Sequence, residues 1–151
     1  MVESDEFYLE LALKEAQNCV ATPTAFCVGA VIVLPADIVL STGYSRELPG
    51  NTHAEQCALE KLINQGHIPP ARSAVIYTTM EPCSERLSGN LPCVDRILQS
   101  NLFHTVVVGV VEPDTFIKKN IGKQKLSDAG INYFHVSGFE QRCLEIAQRG
   151  H

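Results

Sequence analysis

Apolar positions recur along the chain with two different periods. Over residues 4–20, "SDEFYLELALKEAQNCV", Leu9, Leu13, Ala16 and Val20 fall at three-to-four spacing, with acidic residues at the start. That is the period of one buried helix face, opened by the charges a helix N-terminus favours. Residues 28–34, "VGAVIVL", are continuously apolar and read as a buried strand. After the turn "PAD", residues 38–44, "IVLSTGY", read as its antiparallel hairpin partner. A loop, "SRELPGN", leads to a helix over 53–64, with Thr52 or Asn51 as N-cap and Gly66 just past the end.

The second half alternates strands with helices. Strands are predicted at 74–79, 105–111 and in "INYFHV". Helices are predicted over 93–100 with Pro92 at the start, near 121–129, and in the closing "GFEQRCLEIAQRG". Apolar strands without a polar face imply burial on both sides. The expected fold is therefore a three-layer α/β/α domain with a five-stranded mixed sheet. No repeat or linker divides residues 1–151, so they are expected to form a single domain.

Composition narrows the function. The chain is 45% hydrophobic with net charge −5, which disfavours both disorder and broad binding to nucleic acid. Lys118, Lys119, Lys123 and Lys125 form a short basic run, read as a solvated face. No apolar run is long enough to span a membrane, and "MVESDEFYLE" lacks the basic flank and apolar core of a signal peptide. A cytoplasmic, reducing setting is expected. There, six cysteines point to thiols or metal ligands before disulfides.

His53, Cys83 and Cys93 stand out as candidate ligands. Zinc takes imidazole and thiolate, and a catalytic site keeps three protein ligands and one open position. Two thiolates balance the divalent charge. Glu55 lies two residues after His53, so on a helix it does not share the histidine's face. It is placed to work on a water at the metal as proton carrier. Competing readings are a Cys83–Cys93 disulfide and Cys57 as a ligand, four residues after His53. Cys57 would sit a turn too deep in the helix, and it is read with Cys19, Cys27 and Cys143 as a buried apolar residue. His67, His104, His135 and His151 lack motif partners.

The order H-A-E, then "TTMEPC", then a second cysteine matches the zinc-deaminase signature, except that "SERLSGNLP" separates the two cysteines. The runs "GYSRELPGNTHAEQCALEK" and "YTTMEPCSERLSGNLPCVDRI", with "TAFCVGAVIV" and "GVVEPDTFI", resemble fungal riboflavin-pathway deaminases. The resemblance covers most of the domain. It implies the cytidine-deaminase-like fold, one catalytic Zn2+ per chain, a homodimer, and a small phosphorylated pyrimidine as substrate. That substrate is 2,5-diamino-6-(5-phospho-D-ribitylamino)pyrimidin-4(3H)-one, deaminated at a ring carbon between two nitrogens.

Bacterial riboflavin deaminases carry Asn-Pro before the Val-Gly of the first strand. Ala25 and Phe26 stand there in this chain. Asn51 reads equally as substrate contact or N-cap. Arg46, Arg86, Ser88 and Asn90 flank the motif loops and are expected to hold the ribityl chain or its phosphate, arginine by its planar fork. Thr115 and Asn120 are further candidates. Alternatives are a deaminase of another base, nucleoside or tRNA, and a non-catalytic zinc-binding subunit. The acidic charge and long insert disfavour tRNA, and Glu55 disfavours a mere scaffold.

Overall fold

A computed structural model describes residues 4–23, 25–66, 68–83, 91–111 and 121–150. Ten elements follow in the order α1 (Asp5–Ala16), β1 (Gly29–Leu34), β2 (Ile38–Tyr44), α2 (Ala54–Gln65), β3 (Ala74–Met80), α3 (Cys93–Ser100), β4 (Phe103–Val110), α4 (Gly122–Asp128), β5 (Asn132–His135) and α5 (Glu140–Ala147). They build one five-stranded sheet in the order β2-β1-β3-β4-β5. β1 runs antiparallel to both β2 and β3, while β3, β4 and β5 are mutually parallel. The sheet is mixed, as the pattern predicts.

Alternate residues of β1 face opposite cores, which explains the unbroken apolar run. Ala30 and Ile32 join Ala58, Leu59 and Leu62 of α2, Val94 and Ile97 of α3 and Leu126 of α4. Val31 and Val33 join Leu9, Ala12 and Leu13 of α1 and Cys143 and Ala147 of α5. Helices therefore cover both faces, giving the three layers.

Two glycines set how closely the helices approach. A Cβ on Gly29 would lie 1.9 Å from the Ala12 carbonyl oxygen of α1, and one on Gly43 would lie 2.3 Å from that of Ala54 in α2. The first turn of α2 thus rests directly on β2, and this contact fixes where residues 53–55 stand.

The first helix is shorter than its periodicity predicts. It ends at Ala16, and Val20 is 80% exposed. Arg149, from the far end of the chain, donates to the carbonyls of Gln17 and Cys19. This long-range capping turns the chain after α1 and brings Cys19 into the interior in place of Val20. The α2 N-cap also differs. It is His53, in extended conformation, with its N–H donating to Gln56 Oε1 at 3.4 Å. Thr52 lies one residue before the cap, its hydroxyl donating to the Leu48 carbonyl at 2.9 Å and accepting from the Cys57 thiol at 3.2 Å. Gly66 ends α2 in the left-handed conformation at φ 79°.

Candidate metal centre and active site

His53 reaches the site from the start of α2, and Cys93 is the first residue of α3. Cys83 follows the end of β3 after Glu81 and Pro82. Both helices pack on the same face of the sheet, so their N-termini meet beside the end of β3. His53 Nδ1 lies 3.3 Å from Cys93 Sγ and 3.6 Å from Cys83 Sγ. The ligating atoms of the three residues all fall within 4.8 Å of one another. Zn–S near 2.3 Å and Zn–N near 2.0–2.1 Å place tetrahedral N and S ligands about 3.5 Å apart. The donor set and its spacing fit a zinc ion. Among the described residues no other such cluster forms.

The N-terminus of α3 is built around Cys83. The Cys93 N–H donates to Cys83 Sγ at 3.3 Å, and the Val94 N–H donates to the Cys83 carbonyl at 3.0 Å. Hydrogen bonding from Cys93, and next from His53, holds the Cys83 thiol down at about 4 against the opposing effect of burial. A thiolate is what a zinc ligand requires. Cys83 is 5% exposed and Cys93 is fully buried, so competing water is largely kept from the sulfurs.

Glu55 stands in the first turn of α2, 3% exposed, and is not among the clustered ligands. That agrees with its spacing from His53. Cys57 is fully buried, and its thiol donates to Thr52 Oγ1 at 3.2 Å, bracing the loop and leaving it outside the ligand cluster. Cys19, Cys27 and Cys143 are buried as free thiols. His104 contacts Thr105 Oγ1 at 2.6 Å, and His135 lies 3.5 Å from Glu140. Neither histidine belongs to the cluster, and His67 and His151 lie outside the described residues.

The expected substrate contacts divide into three groups. Asn51 is exposed two residues before His53. Arg46 turns its guanidinium inward, to the carbonyls of Phe26 and Val20 and the thiol of Cys19. Arg86, Ser88, Asn90, Thr115 and Asn120 lie outside the described residues, as do Lys118 and Lys119.

One polar pair was not anticipated. Glu81, the first residue after β3, is 8% exposed and accepts a hydrogen bond from the Tyr133 hydroxyl of β5, while its N–H donates to the Val110 carbonyl at 2.8 Å. Burial, and then Glu81, push the Tyr133 hydroxyl well above its usual pKa. The pair anchors the end of β3 two residues before Cys83. The "MEPC" run marks the carboxylate in the sequence, but nothing local names Tyr133 as its partner.

Comparison with known proteins agrees with this geometry. The cytidine and deoxycytidylate deaminase zinc-binding region matches residues 2–110. The chain belongs to that family. It is 50% identical over 146 residues to a Schizosaccharomyces pombe protein, diaminohydroxyphosphoribosylamino-pyrimidine deaminase, covering 97% of this chain and 35% of that one. The chain spans about a third of the length of the curated relatives it matches. Among solved structures, an Aspergillus oryzae Rib2 deaminase superposes with a TM-score of 0.90 at 39% identity, covering 99% of this chain and 93% of that one. The same deaminase in complex with DARIPP gives 0.87 at 38%, covering 97% and 91%. This family member therefore has the cytidine-deaminase-like fold expected from its motifs.

Proposed function

We propose that this chain is a zinc-dependent hydrolytic deaminase of 2,5-diamino-6-(5-phospho-D-ribitylamino)pyrimidin-4(3H)-one, releasing ammonia and leaving 5-amino-6-(5-phospho-D-ribitylamino)uracil. The observation that carries the reading is the His53–Cys83–Cys93 cluster with a buried carboxylate, Glu55, two residues beyond the histidine. The named relatives supply the substrate class.

His53, Cys83 and Cys93 would hold the zinc ion. Bound there, zinc supplies Lewis acidity that makes a water nucleophilic near neutral pH. Glu55 would accept a proton from the water that adds to the ring carbon bearing the amino group and pass it to the adjacent ring nitrogen. The second proton of that water, carried by the same carboxylate, would go to the departing amine, so that ammonia leaves, the ring nitrogen keeps its hydrogen and a carbonyl remains. Atoms balance as one water consumed for each ammonia released. Burial of Glu55 shields its proton from exchange with bulk water between the two transfers.

The phosphoribityl tail needs donors outside this centre. Asn51, Arg86, Ser88, Asn90, Thr115 and Asn120 are assigned to it, on their nearness in sequence to the ligand loops and strand ends. A homodimer and a cytoplasmic location complete the proposal. Among the described residues no helix is long and apolar enough to cross a membrane.

The test is ammonia release from the diaminopyrimidine ribityl phosphate, measured beside cytidine, cytosine and a tRNA anticodon stem. Turnover confined to the first supports the reading. Turnover of another substrate alone overturns it.

A further inference from the structure

The reading of the site leaves Arg46 without a catalytic task, yet its surroundings are unusually specific. Its backbone is left-handed, with φ 62°, a conformation a non-glycine residue holds only where its surroundings enforce it. Its N–H donates to the Thr52 carbonyl at 2.7 Å, closing the loop that delivers His53. Its guanidinium reaches back across the sheet end. Nη1 donates to the Phe26 carbonyl at 3.3 Å, and Nη2 donates to the Val20 carbonyl at 2.9 Å and lies 2.9 Å from Cys19 Sγ. One residue therefore joins two segments distant in sequence.

The neighbours reinforce the join. Ser45 exchanges hydrogen bonds with the backbone of Val28, its N–H donating at 3.0 Å and its hydroxyl accepting from the Val28 N–H at 2.9 Å. The next residue, Gly29, donates its N–H to Thr79 Oγ1 at 3.1 Å. Because β1 is antiparallel to β2 and β3, its beginning lies level with their ends, Gly29 beside Tyr44 and Ala30 beside Thr78. Both those ends lead to ligands, His53 and Cys83. The segment entering β1 is thus one side of the same sheet end that carries the metal centre.

We propose that Arg46 is a positioning residue that clips Cys19, Val20 and Phe26 to the His53 loop and so fixes one wall of the substrate site, rather than a contact to the substrate phosphate. This rests on the deaminase reading above. The two roles predict different chemistry. A phosphate contact favours only the phosphorylated substrate. A clip acts on the shape of the site and serves any substrate that presents the same ring.

The experiment compares the wild type with R46M, which removes the fork, and R46K, which keeps the charge. Rates are taken per zinc-loaded folded chain, on the ribityl phosphate and on its dephosphorylated counterpart. Hydrogen exchange is followed over 19–28 and 45–53. R46M is expected to raise KM about tenfold on both substrates, with kcat changed less than about threefold and zinc retained. Exchange should rise in both segments together, and R46K should recover part of each effect.

A KM increase confined to the phosphorylated substrate overturns the proposal. So does unchanged KM, or exchange that rises in neither segment. Should R46M fail to fold, R46K decides by the same measurements. If the wild type deaminates neither substrate, the functional reading fails, while the exchange data still decide whether Arg46 joins the two segments.

Discussion

The backbone N–H of Cys93 points at the sulfur of Cys83 from 3.3 Å, so one candidate ligand helps to ionise another. An amide at the start of a helix is a donor without an intrahelical partner. Here it adds to the larger hydrogen bond that the Cys93 side chain makes to the same sulfur. The sign of the effect is testable. Because the folded thiol lies near 4, below the ordinary thiol value, Cys83 adds stability to the metal-free protein at high pH. That contribution is full above about 8.5 and declines as pH falls toward 4. Thiolate absorbance near 240 nm in the apoprotein should persist below pH 6 and shrink in Cys83→Ser. A Cys83 thiol that titrated only near pH 8–9 would show that hydrogen bonding from Cys93, its side chain foremost, and from His53 does not hold it down.

Cys93→Ser should weaken zinc binding by more than about 100-fold, since a neutral hydroxyl replaces a thiolate in the inner coordination sphere. Cys57→Ser should retain about one zinc per chain, because that thiol is directed to Thr52. Metal analysis after competition with a chelator separates the two. Retention by the first and loss by the second would reverse the ligand assignment.

Glu55→Gln should hold zinc normally yet lower kcat by roughly 100- to 10,000-fold, the usual worth of a positioned proton carrier. Ammonia release at saturating substrate measures it. Turnover near that of the wild type would remove Glu55 from the proton path.

Gly43→Ala tests whether the seat of α2 on β2 matters to the site. The new methyl would meet the Ala54 carbonyl at 2.3 Å, so helix and strand must part. Unfolding in urea should show a loss of about 1–3 kcal/mol. Zinc affinity should fall with it, because His53 immediately precedes the displaced turn.

Arg86→Ala should raise KM for the phosphorylated substrate and leave the dephosphorylated one unaffected, unlike Arg46, where both are expected to rise. Equal effects on both would take Arg86 out of phosphate binding.

The strands and the side chains that cluster were legible because each is written locally. β2 occupies the predicted residues, and His53, Cys83 and Cys93, picked out by type and spacing, come together in one cluster. What escaped was set at long range. Val20 continues the α1 period, but Arg149, 132 residues beyond Gln17, ends the helix before it. Thr52 has the right chemistry for an N-cap, but the helix starts one residue later and the Thr52 hydroxyl accepts from the Cys57 thiol, with Leu48 taking its proton. Arg46 reads in sequence as a contact to the ribityl chain or its phosphate because the groups it bonds lie 20 to 27 residues away.

His53 and Cys93 stand 40 residues apart in the chain and 3.3 Å apart in space. An ion held between them closes a long loop, and closing it restricts the unfolded chain far more than the folded one. The proposed metal centre would therefore also be a tether between α2 and α3. Loading it with metal should raise the melting temperature even of a variant that can no longer turn over.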